Sequence, residues 1–534
     1  MSIPLGKSHW LRILDLENIL VNNEPVYVAE ADRERIRASR ATLDKYTRDR
    51  LPVYGVNTQY GDDAYRVVIE GDQDEYLQSV VDRQNSVMRA LGCGTGEECS
   101  VEVARVTLLL RIHTIAQGAS GVREELVDRL LALFGGGIAP VIHRFGSVGA
   151  SGDLIPLSSI ARTLMGEGSV RMAGRLIPAL EALAAIQIAP EPLTMKEGLS
   201  IVNGTSFMTA VAALTVSRLC RLLPLSIAAL AACVEAMLGM DSPYMAFVHE
   251  SKHHRGQVRV ANFIRTCWKE SKLVRSLSAL RLEWRAMLLT KGRAEQENIQ
   301  DYYSLRAIAH GFGPFSDDLE RAVEWVENEM NSLNDNPLID VESEYVFSSA
   351  NFMGDYVAVI CDQLRADVAK AGTWMHAIFG NIVNPRKSRG LPSCLVIDPD
   401  AVTGFKTLQL LVASLAIQNR NRCMPVSAVM LPTEGDNQDM VSLGAHSAYD
   451  LRDVTDNFKT LTTVMMIVAA QALELRGIQN ASNSSRLLWE FVRQKCGFVT
   501  QDRPLRDEII SLSEDIFKCE LARPWFLDDG SSVV

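Results

Sequence analysis

Apolar residues recur three and four positions apart through Val101–Ala116, Glu124–Phe134, Leu319–Met330, Tyr356–Ile378, Phe405–Ile417 and Phe458–Ala472. That spacing lines them up on one face of a helix. Several of these stretches are apolar around most of their circumference, which predicts helices buried inside a large bundle. The most apolar stretch, Met208–Met240, is interrupted by Arg218, Arg221 and Glu235 and carries Pro224 in its interior. Proline removes one helical hydrogen bond and clashes with the preceding turn. Two buried helices meeting at a kink are therefore expected there, and not a membrane span. Strand signals are sparse, and Val170–Pro178 with Gly174 at its centre reads as one small hairpin. The expected fold is mainly α. A smaller mixed N-terminal region, residues 1–200, precedes a long-helix bundle and a C-terminal helical portion over 201–534.

Composition narrows the function classes. The 534 residues are 47% hydrophobic and 22% charged, which is the balance of a globular protein. A net charge of −11 opposes nucleic-acid binding by bulk electrostatics, and the basic stretch from His253 to Arg275 reads as solvated surface. Ten cysteines without a Cys-x-x-Cys pair suggest neither a disulfide framework nor a metal site, and they suit a reducing cytoplasm. Met1 to Asn18 lacks the basic and apolar runs of a signal peptide. The expectation is a cytoplasmic protein with no metal, membrane or nucleic-acid partner.

Residues 146–158 read Gly-Ser-Val-Gly-Ala-Ser-Gly-Asp-Leu-Ile-Pro-Leu-Ser. Attack of the Gly152 nitrogen on the Ala150 carbonyl closes a five-membered ring across Ser151. Loss of water from the ring and from the serine then leaves a 4-methylidene-imidazol-5-one, an electrophile that no ordinary side chain offers. Such closure needs an abnormally tight turn, which Gly146, Gly149 and Gly152 permit. Other readings of the run are weaker. No Gly-Lys-Ser/Thr follows for a phosphate cradle, and Asp153 stands where a hydrolase elbow wants glycine. The segment resembles the signature of the histidine, phenylalanine and tyrosine ammonia-lyases, a family that also contains aminomutases. The resemblance spans roughly Leu51 to Leu487. It implies the fumarase/aspartase-like helical fold, an imidazolone formed autocatalytically from Ala150-Ser151-Gly152, and a homotetramer whose active sites draw on three subunits. The chain is too short for the shielding domain of the plant enzymes and looks bacterial in type.

Eliminating ammonia from an α-amino acid requires an electrophile for the amine, a base for the weakly acidic β-proton and a clamp for the carboxylate. Tyr54, in Tyr54-Gly55-Val56-Asn57-Thr58-Gln59-Tyr60-Gly61, resembles the family's proton-abstracting loop tyrosine. A phenol serves as a base near neutrality only when positive charge or hydrogen bonds lower its pKa; Tyr60 is the second choice. The run Gln300-Asp301-Tyr302-Tyr303-Ser304-Leu305-Arg306 is similar to the family's Gln-Asp-x-Tyr-Ser-Leu-Arg motif. It implies roles for Gln300 and Tyr303 and a two-pronged carboxylate contact from Arg306. The match then breaks, because Ala309-His310 replaces the family's Pro-Gln and brings His310 toward the site. Asn203, in Asn203-Gly204-Thr205, is implied to bond the imidazolone oxygen and draw electrons from the ring. Asn336 resembles a second carboxylate contact. Phe352 resembles a residue lining the aromatic pocket, although Ala350 replaces the family's glycine nearby.

Two positions bear on the substrate. Gln438 stands where aromatic lyases carry glutamine and histidine lyases carry glutamate, and Ala90-Leu91 stands where the family carries Ser-His, His-Leu or Phe-Leu. Leu91 and Gln438 point to an aryl ring. Ala90 implies extra room at the ring's far edge, unless Met88, Met440 or His310 fills it. The leading expectation is an aryl-alanine ammonia-lyase. A 2,3-aminomutase is the alternative, with a histidine ammonia-lyase, a serine hydrolase using Ser151 and a non-enzymatic helical scaffold behind it.

Overall fold

A computed structural model describes residues 2–67, 72–291, 299–429 and 431–527. Among them are nineteen α-helices and nine short strands, so the mainly-α expectation holds. The chain divides into two compact units. The first comprises Met1–Thr215, Val323–Asp362 and Pro425–Tyr449, and the second Val216–Ala322, Gln363–Met424 and Asp450–Val534. The first unit thus extends the expected 1–200 region by two segments that arrive from far along the chain.

In the first unit, Val101–Ala116 forms a helix buried along nearly its whole length, with Ser100 accepting a hydrogen bond from the Val103 amide at its start. The amphipathic helix Glu124–Gly135 buries Leu126, Val127, Leu130, Leu133 and Phe134. The expected hairpin is present: Ser169–Met172 pairs antiparallel with Arg175–Pro178, and Ala139–Pro140 adds a third strand. Its turn residues Ala173 and Gly174 both have positive φ, 49° and 76°, the two-residue turn whose twist matches that of paired strands.

The second unit is mostly long helices, and here the sequence reading needs correction. Met208–Met240 does not split at Pro224; a single helix runs over Ser206–Ala236 with the proline inside. Pro224 leaves the Cys220 carbonyl without its helical donor. The Trp525 amide bonds that carbonyl at 2.9 Å, so the helix survives because another segment satisfies the orphaned acceptor. Two more helices are longer than their apolar patterns. Ile308–Met330 begins with a glycine- and proline-bearing stretch, and Gly444–Arg476 begins with a polar one. Helices Ser206–Ala236 and Gly444–Arg476 are long and apolar enough to cross a membrane, but 94% and 78% of their most apolar windows are buried inside the fold.

Lys196 and Asp335 form an ion pair at 2.6 Å within the first unit, with both side chains fully buried. Burial pushes the Lys196 pKa down, and Asp335 opposes the shift. Lys196→Met leaves the carboxylate buried and unpaired, which should cost about 3–5 kcal/mol. Denaturant unfolding of Lys196→Met should show that loss, and adding Asp335→Leu should recover much of it.

Candidate active site

The Ala150-Ser151-Gly152 triplet lies in the first unit, between two segments brought from elsewhere in the chain. On one side, the Leu443 amide donates to the Val148 carbonyl at 3.1 Å and the Ser442 amide to the Gly149 carbonyl at 3.4 Å. Ala150 packs there with Val441 and Leu443. On the other side, Gly152 and Gly204 form a parallel bridge, and the Asp153 amide donates to the Gly204 carbonyl at 2.8 Å. Gly152 has φ +74°, and a Cβ on it would collide with the Gly204 backbone. The turn that ring closure needs is therefore held by contacts that only glycine permits.

Beneath the triplet lies a cluster of buried charge. Asp153 accepts from Ser147 Oγ at 2.6 Å and from the Met208 amide at 2.8 Å; burial still pushes it up to about 6. Arg111 is fully buried and donates through Nη1 to the Asn203 carbonyl and to both oxygens of Asn334, each at 3.1 Å. Burial brings it down to about 10 against the pull of Asp335 and Asp153. Glu329, bonded to Thr205 Oγ1, is pushed up to about 7, chiefly by burial. The buried Oδ1 of Asn203 has no hydrogen-bond partner among the described residues. The Gly152–Gly204 contact, where a Cβ has no room, fits a ring closed across residues 150–152.

Gln438 Nε2 lies 3.4 Å from Ser151 Oγ. It is held by a tight turn, with Thr433 Oγ1 donating to its Oε1 at 2.6 Å. Tyr54 sits on a braced loop: Asn57 bonds the Val53 amide, the Leu51 carbonyl and the Tyr76 hydroxyl, and the Gly61 amide donates to the Tyr54 hydroxyl at 3.1 Å. Tyr60 donates its hydroxyl to the Gly55 carbonyl at 3.0 Å, so its proton is already engaged and Tyr54 is the better-placed base. The expected lowering of the Tyr54 pKa is absent within the chain. Burial pushes it up, Glu434 pushes the same way, and the Gly61 amide opposes.

Gln300, Tyr303 and Arg306 lie in the second unit, on the wall of a cavity of 540 Å³ that also includes His310. Their segment is tied down at several points. Asp301 accepts from the Met240 amide and Arg389, and the Ser304 carbonyl accepts from Trp374 Nε1 at 2.7 Å. The Tyr244 hydroxyl donates to the Leu305 carbonyl. The Arg306 guanidinium lies over the Tyr303 ring at 4.7 Å, and its buried Nε has no hydrogen-bond partner. The expected site residues thus fall into two sets, one in each unit.

Residues 11–494 match the sequence profile of the family described as aromatic amino acid lyase. The chain belongs to that family. It is 33% identical to the histidine ammonia-lyase of Geobacillus thermodenitrificans over 501 residues, 94% of each chain. It is also 33% identical to the MIO-dependent tyrosine 2,3-aminomutase of Streptomyces globisporus, over 92% of this chain and 90% of that one. The solved phenylalanine aminomutase of Pantoea agglomerans superposes with a TM-score of 0.91 at 28% identity, covering 98% of this chain and 99% of the other. The aromatic lyase family is that of the ammonia-lyases and aminomutases, so this protein is an enzyme.

Other family positions sit less centrally in this chain. Asn336 Oδ1 accepts from the Ser349 amide at 2.7 Å, so that oxygen is committed to its own loop. Phe352 is half-buried on a loop whose Gly354 packs against Met208. Leu91 lines a cavity of 180 Å³ with Ile155, Pro156 and Ser158, just past the triplet, but no triplet residue lines it and Ala90 is exposed. Among the described residues Ser151 has no bond to a histidine, which leaves the serine-hydrolase reading without its general base. Sequence reasoning missed Glu434, Arg111 and Glu329, because their partners are distant in sequence. Glu434 lies against Gly61, where a Cβ would meet its carboxylate. Neutralising it in Glu434→Gln removes a charge that raises Tyr54, so Tyr54 should ionise at lower pH than in the wild type. Ultraviolet difference titration reads this, with Tyr54→Phe identifying the Tyr54 signal.

Proposed function

We propose that this enzyme eliminates ammonia from an aryl-alanine, such as phenylalanine, tyrosine or a ring-substituted analogue, to give the trans-arylacrylate. The Gln438 amide, 3.4 Å from Ser151 Oγ, carries this reading. A neutral amide at the electrophile gives an imidazole ring no charge partner, while a benzene ring needs none. When formed from Ala150-Ser151-Gly152, the methylidene-imidazolone supplies an electrophile for the substrate amine. Asn203 is suited to hold the ring's oxygen through its side-chain amide N–H, the one donor group that side chain carries. Tyr54 takes the β-proton, and Arg306, with Gln300 and Tyr303, receives the carboxylate. A homotetramer with shared sites would join the two sets of residues. Tyr303, 74% exposed on its own chain, suits a side chain that completes a neighbour's site. Ten free cysteines suit a cytoplasmic location.

An aminomutase moving the amine from the α to the β carbon is the second reading, supported by the tyrosine and phenylalanine aminomutases among the similar proteins. It uses the same residues and differs in how long the arylacrylate is retained. Incubation with phenylalanine, tyrosine and histidine, with ammonia, arylacrylate and β-amino acid all quantified, separates the readings. Arylacrylate with equimolar ammonia from phenylalanine or tyrosine is expected; β-amino acid as the main product, or turnover of histidine alone, would overturn the proposal. The intact chain should weigh two waters less than its sequence mass, and Ser151→Ala should lose both that deficit and the activity. Tyr54→Phe should lower kcat by roughly 100- to 10,000-fold with little change in KM.

A further inference from the structure

The second unit contains a hydrogen-bonded chain of side chains that the elimination chemistry has not yet used. It runs from the Pro243 carbonyl through His249 and Gln257 to His310. His249 Nε2 lies 2.9 Å from the Pro243 carbonyl oxygen, which can only accept, so His249 carries its proton on Nε2. Its Nδ1 must then accept, and Gln257 Nε2 lies 2.9 Å away as the donor. The Gln257 amide has a second hydrogen, and His310 Nε2 lies 3.3 Å from the same nitrogen. His310 Nε2 therefore accepts as well. Burial lowers the pKa of both rings, and Lys252 lowers that of His310 further, so both stay neutral near pH 7. A neutral His310 accepting at Nε2 must carry its proton on Nδ1. That nitrogen is shielded from bulk water and has no acceptor in the chain.

An N–H without an acceptor is costly to bury, so its persistence calls for a partner. His310 lines the same 540 Å³ cavity as Gln300, Tyr303 and Arg306, in the helix that begins just after Arg306. Arg306 has no carboxylate partner among the described residues, and its Nε is also unbonded. Two donor-bearing side chains lining one cavity suit one anionic ligand group. We propose that His310 is a second binding group for the substrate carboxylate, a neutral Nδ1–H donor whose tautomer is fixed by Gln257 and His249. The inference rests on the ammonia-lyase reading above and on Arg306 meeting the acid end of the substrate. His310 thereby replaces the flexible amide of the related Pro-Gln sequence with a ring whose donor is fixed in advance.

The test measures dissociation constants for cinnamate, coumarate and urocanate by calorimetry, using the full-length enzyme. The proteins are the wild type, His310→Phe, which keeps the volume without a donor, His310→Ala and His310→Gln, which restores an N–H donor. The two-water mass deficit of each variant reports independently that the triplet half of the protein has folded. Loss of one hydrogen bond to a charged group should weaken the acids roughly 10- to 100-fold in His310→Phe and His310→Ala. His310→Gln should stay within about 3-fold of the wild type. Wild-type affinity in His310→Phe or His310→Ala, or an equal loss in His310→Gln, overturns this inference and leaves the functional reading standing. A wild type that binds none of the three acids overturns the functional reading and this inference together.

Discussion

The Gly204 backbone lies so close to Gly152 that Gly152 tolerates no Cβ, and Arg111 and Asn334 leave no room for one at Gly204, so the surrounding architecture of the first unit serves that contact. Gly204 is fixed because the Arg111 guanidinium fills the space beside it and bonds the Asn203 carbonyl and Asn334. Gly152 is fixed because the next residue, Asp153, anchors to Ser147 and to the start of the helix Ser206–Ala236. Each anchor is a charge removed from water, and an isolated buried charge is not tolerated. The cluster approaches neutrality by two routes. Lys196 pairs directly with Asp335, while burial pushes Asp153 up to about 6 and Glu329 up to about 7, which lowers the cost of protonating them. The strained turn is thus held by electrostatics that weaken if any one member is removed.

Chemistry at that turn needs groups the turn itself does not carry. Tyr54 is braced by its loop, but burial raises its pKa by more than the Gly61 amide lowers it, and Glu434 adds to the rise. Arg306 shows the complementary condition: a cation with no anion, on the wall of an open cavity. On the reading proposed above, the substrate carboxylate would supply an anion for Arg306, and positive charge from outside this chain would be needed to lower Tyr54.

Sequence reached the family and the mainly-α fold class, and it missed features whose causes lie far apart along the chain. The family signature in the thirteen residues from Gly146 to Ser158 was legible because ring closure would depend on local order, and local order is written contiguously. The hairpin at Ala173-Gly174 was legible for the same reason. Pro224 was misread because the remedy for its missing hydrogen bond lies at Trp525, and no window of sequence contains both. Helices Ile308–Met330 and Gly444–Arg476 were underestimated because periodicity records burial, and their first turns are poor in apolar residues. Glu434 and Arg111 were invisible because a buried charge is defined by its partners, and theirs arrive from the far side of the chain.

On the reading proposed above, the two ends of the substrate meet different kinds of residue, and the contrast bears on how specificity would be divided. At the ring end, fit in an apolar pocket discriminates by only about 1–3 kcal/mol per methylene-sized change. Gln438 therefore matters more as an uncharged group beside the electrophile than as a close-fitting wall. At the acid end, Arg306 and His310 present fixed donors, and a site built to satisfy hydrogen bonds rejects ligands lacking the acceptor far more strongly. The chain keeps the family's Gln-Asp-x-Tyr-Ser-Leu-Arg run yet departs at the next turn, where His310 depends on Gln257 and His249 for its orientation. A departure supported by two further side chains has the character of a built feature. It makes the carboxylate the rigidly specified end of the substrate and leaves the aryl ring as the end where variation is tolerated.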